Sequence, residues 1–71
     1  MRKTEKKDSW DAGSIRSLRN HLELTQVELA GQMGIRQQTV SEWEQGDYEP
    51  RGASARLLSI IADRSGFKYK A

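Results

Sequence analysis

The sequence predicts an all-α protein built as a bundle of four main helices. Apolar residues recur at intervals of three and four in several short stretches, and residues that favour helix starts and stops bound these stretches. No stretch alternates apolar and polar residues as a half-buried β-strand would. With 71 residues the chain has material for one small core, so a large multidomain enzyme is not expected.

The first helix is predicted from Asp11 to about Leu22. Asp11 can accept hydrogen bonds from the free amides of the first helical turn, and Trp10 and Ile15 on either side of it can form a hydrophobic staple. Ile15, Leu18 and Leu22 then follow the i, i+3, i+7 stripe of a helix with one buried face.

The second and third helices have clearer boundaries. Thr25 and Glu28 have the spacing of a capping box, which predicts a helix start, and Gly34 can take the left-handed conformation that ends a helix. After a short turn, residues 37–45 contain no Gly or Pro and stop at Gly46. These residues predict a third helix of about nine residues, roughly 13 Å long.

The fourth helix is predicted from about Ala53 to Ser65, after a loop rich in Gly, Pro and Asp. Leu57, Leu58 and Ile61 share one face of this helix with Ser54, so this face is expected to be buried. Ile60 projects roughly 100° away from that face. It is therefore a candidate for a second, separate contact.

Charge and composition divide the chain into three parts. Residues 1–9 are expected to form a basic, disordered tail, residues 10–65 the folded domain, and residues 66–71 a C-terminal tail. The whole chain carries +2, but residues 1–7 hold four Lys or Arg against one Glu, and residues 51–71 hold five against one Asp. Both flanks can attract a polyanion, although a solvated tail with no binding role is an equal alternative for the first.

Composition excludes several classes of function. The chain has no Cys and one His, which removes disulfides, thiolate sites and His-rich metal sites. No apolar run approaches the roughly 18 residues of a membrane span, and the first eight residues contain no apolar signal segment. A cytoplasmic protein with no membrane, metal or cofactor is therefore expected. No paired acid and base or phosphate-cradling Gly-rich loop indicates an enzyme.

Two short helices around a glycine turn are typical of a helix-turn-helix unit. Here the chain resembles the phage-repressor and Cro type (XRE-type) helix-turn-helix family, over about residues 14–62. The segments that carry this resemblance are LTQVELA at 24–30, MGI at 33–35 and QQTVSEWEQG at 37–46. The segments WEQG at 43–46 and PRG at 50–52 look most like small regulators and antitoxins of toxin–antitoxin operons.

The resemblance implies a lambda-repressor-like bundle that binds double-stranded DNA. In this interpretation the protein is a transcriptional regulator, expected to be a repressor, that docks as a homodimer on a palindromic operator with its third helix in the major groove. The alternative is a protein-binding adaptor or antitoxin of the same fold, whose main partner is a toxin or another protein. The fold alone does not separate the two interpretations.

The outward face of the third helix is the candidate for reading bases. Gln can pair with adenine through two hydrogen bonds, Glu can accept one from cytosine, and Ser can serve either. An ordinary solvated surface is the alternative. The candidate base-reading residues are Gln37, Gln38, Ser41, Glu42 and Gln45.

Phosphate contacts and one ion pair are implied for other positions. Gln26 lies in the first turn of the second helix, where free amides and the helix dipole favour an anion. The resemblance also implies an ion pair between Arg19 and Glu44, the alternative being two independent surface charges. Trp43 fits the core better than a phosphate site, although its indole N–H could reach one. The candidate phosphate contacts are Gln26, Arg36, Thr39, Trp43 and Arg51.

Two features oppose a simple DNA-binding interpretation. Residues 25–46 carry one Arg against three Glu, so this segment alone would repel DNA. Glu23 also lies where the family often has Gly, and a left-handed backbone there would cost about 1 kcal/mol.

Affinity must therefore come from the flanks and from dimerisation. Ile60, Phe67 and Tyr69 are the candidate dimer contacts, because together they could form a small apolar seam. In the alternative arrangement, Phe67 folds back over the core of its own chain.

Overall fold

The computed structural model describes residues 9–67, and these residues form four α-helices and no strand. The all-α bundle predicted from the sequence is confirmed. Tyr69 and the basic segment 1–8 lie outside the described residues. The helices are α1 (Ala12–Leu22), α2 (Gln26–Met33), α3 (Gln37–Gln45) and α4 (Ala53–Ser65).

Capping boxes start the first two helices. At α1 the Asp11 carboxylate accepts a hydrogen bond from the Ser14 amide at 2.8 Å, and the Ser14 hydroxyl accepts one from the Asp11 amide at 2.9 Å. Hydrogen bonding by Ser14, chiefly from its backbone amide, lowers the pKa of the Asp11 carboxyl. At α2 the Thr25 hydroxyl and the Glu28 carboxylate make the equivalent pair at 3.1 and 2.9 Å. The cap at Asp11 and the box at Thr25 were both predicted, so local sequence fixes both helix starts.

Glu23 ends α1 in the left-handed conformation, with φ 60° and ψ 41°. It is the one residue other than glycine with a positive φ between residues 9 and 67. Glycine occupies the matching position after each of the other three helices. The strain expected at Glu23 is therefore present, because its Cβ crowds the backbone in this conformation.

The core lies between all four helices and includes Trp10, which precedes α1. Side chains with no exposed surface come from all four helices. They are Ile15, Leu18, Leu29, Val40, Leu58 and Ala62 on α1 to α4.

The buried face of α4 differs from the predicted one. Ala55, Leu58, Ser59 and Ala62 are buried, whereas Leu57 and Ile61 are only half-buried. Small side chains let α4 approach the rest of the bundle closely, and a prediction weighted toward large apolar residues misses them. The buried stripe is therefore displaced by one residue from the predicted stripe.

The two ends of the described chain meet at Trp10. Its indole Nε1 donates a hydrogen bond to the Ser59 hydroxyl at 3.0 Å, and the ring of Phe67 stacks on it with centroids 6.5 Å apart. The His21 ring also contacts Phe67, with centroids 5.3 Å apart, and its Nε2 hydrogen-bonds with the carbonyl of Ser65. Phe67 thus packs on the core of its own chain, as in the second of the two arrangements considered for it.

Replacing Glu23 by Gly is expected to raise the free energy of unfolding by about 1 kcal/mol, because glycine adopts the left-handed conformation without a Cβ penalty. Ser17→Gly is the matched control. Ser17 is exposed inside α1, where glycine should lower stability by about 0.5 kcal/mol. Urea unfolding of both variants and the parent tests this, and a loss of stability in Glu23→Gly would contradict it.

Candidate nucleic-acid interface

Helix α3 presents one buried face inward and one exposed polar face outward. Val40, Trp43 and Glu44 are buried on the inner side. The outer side forms a concave polar surface, here called the reading face. Five of its six residues are the predicted base-reading residues, and the sixth, Asp47, follows α3. The reading face consists of Gln37, Gln38, Ser41, Glu42, Gln45 and Asp47.

Side chains on the reading face are linked in pairs one helical turn apart. The Gln38 amide nitrogen donates to the Glu42 carboxylate at 3.3 Å, and the Gln45 amide nitrogen donates to the Ser41 hydroxyl at 3.0 Å. These bonds order the amides before any ligand arrives. The reading face therefore offers oxygen acceptors and a limited number of free N–H donors.

Arg19 and Glu44 form a two-pronged ion pair between α1 and α3. Arg19 Nε lies 2.7 Å from one carboxylate oxygen of Glu44, and Arg19 Nη2 lies 2.9 Å from the other. Arg19 also donates to the carbonyl of Leu24, in the α1–α2 turn. Glu44 is only 7% exposed, so these bonds replace most of its hydration.

The environment of Glu44 stabilises its charged form. Burial by itself raises the pKa, but hydrogen bonds from Arg19 and Gln26 and the positive charges of Arg19 and Arg16 outweigh it, so the pKa of Glu44 is lowered. The hydrogen bond from Glu44 likewise raises the pKa of Arg19. Arg16 also donates to the backbone carbonyl of Glu44. Arg16 lies three residues before Arg19, and this spacing puts both side chains on one side of α1.

Gln26 connects this ion pair to the tip of α3. Its Nε2 donates to Glu44 at 3.1 Å, and its Oε1 accepts from Nε2 of Gln37 at 2.8 Å. Because an ionised carboxylate can only accept, Glu44 fixes which end of the Gln26 amide faces α3. Arg19, Glu44, Gln26 and Gln37 thus form one hydrogen-bonded series, here called the polar chain. In this structure the Gln26 amide holds protein groups at both ends, and its phosphate contact stays a prediction.

A second concave surface, here called the loop surface, lies between α3 and the start of α4. Three of the predicted phosphate contacts line it. Trp43 is only 5% exposed and contributes an edge, so it belongs mainly to the core. Sequence reasoning missed Tyr48 and Ser54, which carry exposed or half-buried hydroxyls. The residues that line the surface are Thr39, Trp43, residues 46–51 and Ser54.

The remaining candidates lie apart from these surfaces. Arg36 is exposed at the N-cap of α3 and lines neither concave surface. Ile60 is 41% exposed on α4, away from the core face, whereas Phe67 is half-buried against Trp10. The apolar seam considered for a dimer stays a prediction.

Over residues 9–67 the structure contains no group of three His, Asp or Glu side chains placed to hold a metal ion. The four helices described here are all too short or too polar to cross a lipid bilayer.

Helices α2 and α3, joined by a glycine turn and fixed against α1, define a helix-turn-helix domain. A family model described as helix-turn-helix (HTH_3) matches residues 15–65. The chain belongs to this XRE-type family of DNA-binding regulators. No curated protein and no solved structure gives a significant match to the chain.

Removing either partner of the Arg19–Glu44 ion pair is expected to destabilise the domain. Arg19→Met or Glu44→Gln alone should lower the free energy of unfolding by about 3 kcal/mol, because each leaves a partly buried group without its partner. The double variant should lose clearly less than the two single losses together. Denaturant unfolding of all four proteins gives the coupling energy, and a value near zero would show that the pair is not energetically linked.

The same pair should make stability depend on pH. The pKa of Glu44 is lowered by folding, so its contribution is complete above the ordinary value of 4.5 and is lost as the pH falls through the lowered folded value. The difference in unfolding free energy between the parent and Glu44→Gln should therefore shrink as the pH falls below 4.5. The pH-dependent contribution of Asp11 is the same in both proteins, so it cancels in this difference. A difference that stays constant with pH would contradict this assignment.

Proposed function

We propose that this protein is a sequence-specific transcriptional regulator that inserts α3 into the major groove of double-stranded DNA and represses its target genes. The observation that carries the proposal is the reading face. It gathers amide, hydroxyl and carboxylate groups on an exposed helix, and these are the groups that hydrogen-bond to base edges. The polar chain supports it, because it fixes the start of α3 relative to α1 and α2.

Phosphate binding is proposed for the edges of the site. The helix-turn-helix segment 25–46 is net negative, so attraction must come from cations outside α3. Arg51 and the hydroxyl of Thr39 lie on the loop surface, next to the start of α4. Gly52 caps α4 without a side-chain hydrogen bond, and only the Ser54 amide of the first turn is bonded, to the Arg51 carbonyl, so the other amides of that turn are available to an anion. Arg36 at the N-cap of α3 and the basic segment 1–7 supply further charge.

A protein-binding adaptor or antitoxin is the second candidate. The net negative charge of residues 25–46 favours it, and so do the exposed apolar side chains of Val27, which is 63% exposed, and Ile60. These apolar groups are single residues on different helices rather than one continuous patch. The reading face therefore carries more weight.

Binding to duplex DNA should be salt-dependent and should select a short palindrome from a random library. Arg51→Gln or Arg36→Gln should weaken binding to all sequences alike and reduce the slope of log affinity against log salt by about 0.9 for each lost phosphate contact. Arg64→Gln is the charge-matched control, since Arg64 is exposed about 16 Å along α4 from its start.

Fluorescence anisotropy at several salt concentrations measures these slopes. Absence of any DNA binding at low salt would favour the adaptor. Equal slopes for Arg51→Gln, Arg36→Gln and Arg64→Gln would show that neither Arg36 nor Arg51 contacts a phosphate.

A homodimer is proposed as the DNA-bound form, because two reading faces double the sequence that is read. Half-sites should lie about 34 Å apart, so that inserting five base pairs between them abolishes cooperative docking. Ile60→Asp should shift the sedimentation of the protein toward the monomer, because the charge enters the proposed contact. An unchanged mass distribution would remove Ile60 from the interface.

A further inference from the structure

Gln38 and Glu42 form a hydrogen-bonded pair on the reading face, and only one of the two can be the donor. Gln38 is exposed and Glu42 is half-buried, and the amide nitrogen of Gln38 donates to Oε2 of Glu42 at 3.3 Å. A carboxylate accepts hydrogen bonds and cannot donate them. The nitrogen of Gln38 must therefore face Glu42, and its Oε1 must face away.

The charge of Glu42 is not neutralised by a neighbouring cation. Within residues 9–67 the ion pair between Arg19 and Glu44 is the one salt bridge, and α3 contains no Lys or Arg. Glu42 therefore keeps its full capacity to accept hydrogen bonds from Gln38 and to repel other acceptors. This distinguishes it from Glu44, whose oxygens are held by Arg19 and Gln26.

A Gln38 side chain held in this way has one acceptor and one free N–H left. In the major groove adenine presents an acceptor, N7, beside a donor, the N6 amino group, so it complements this remaining pair. Guanine presents two acceptors, N7 and O6. Guanine would therefore need both N–H groups of Gln38, but one of them already donates to Glu42. Its O6 would also approach the negatively charged carboxylate of Glu42.

We infer that Glu42 is a positioning residue that makes Gln38 select adenine over guanine. The inference rests on the proposed function, in which α3 enters the major groove. It assigns to Glu42 a role that acts through its neighbour, which differs from direct acceptance of a hydrogen bond from cytosine. The neighbouring Ser41 and Gln45 pair lacks this property, because a hydroxyl can donate as well as accept.

The test measures base preference at the position that Gln38 reads. An operator is first selected with the parent protein, and the base pair at which Gln38→Ala loses its preference identifies that position. The parent should favour adenine over guanine there by about five- to 150-fold, the range of one good base contact. Glu42→Ala should bring this ratio toward one, chiefly by gaining affinity for guanine.

Glu42→Gln serves as a second variant of nearly the same shape, and it should reduce the ratio in the same direction because a neutral amide no longer fixes the polarity of Gln38. Asp63→Ala is the control, because it removes an exposed carboxylate on α4 outside both concave surfaces, and it should leave the ratio unchanged. In a Gln38→Ala background, Glu42→Ala should have no further effect at this position, since Glu42 acts through Gln38. Circular dichroism checks that each variant remains helical.

Each result decides a separate point. If Glu42→Ala and Glu42→Gln both keep the parent ratio, the inference fails although the protein still reads DNA. A similar change in preference with and without Gln38 would show that Glu42 reads the base directly, which also overturns it. If the folded parent does not bind duplex DNA at low salt, the proposed function itself fails, and the inference fails with it.

Discussion

The organisation of this domain depends on one nearly buried carboxylate, that of Glu44. A charge in that position is costly unless each oxygen is hydrogen-bonded, and Arg19 and Gln26 provide those bonds. The requirement links three helices, because the partners lie on α1 and at the start of α2. It also sets the direction of the Gln26 amide, and through it the position of Gln37 at the tip of α3. The need to compensate the buried charge of Glu44 therefore also fixes α3 relative to α1 and α2.

This arrangement separates the two electrostatic tasks of a DNA-binding protein. Arg16 and Arg19 contact Glu44 and contribute little to long-range attraction. The remaining arginines of the described chain lie at the periphery of the helix-turn-helix unit, while α3 itself carries only neutral and acidic groups. Strong cations on α3 would bind any duplex, so in the proposed function their absence leaves discrimination between base sequences to hydrogen-bond geometry. The described arginines that do not contact Glu44 are Arg36, Arg51, Arg56 and Arg64, all exposed.

Helix boundaries could be predicted because their signals are local. The cap at Asp11, the capping box at Thr25 and the glycine after α3 each act over a few residues, and all three lie where the sequence indicates. The buried face of α4 could not be predicted, because Ala55 and Ser59 are buried for their small size and hydropathy does not report size. The role of Gln26 required distances across the fold, since spacing alone does not show that Glu44 would hold its amide. For the same reason, the sequence left two arrangements open for Phe67.

The contact between Trp10 and Phe67 has a topological consequence. Because these rings lie 6.5 Å apart, the chain enters and leaves the four-helix bundle on the same side. Such a unit can be placed inside a surface loop of another protein with little distortion of either partner. A short linker across the same gap would also permit circular permutation, with new termini in an exposed turn. The stacked pair therefore covers the core and also makes the domain suitable for insertion into other proteins.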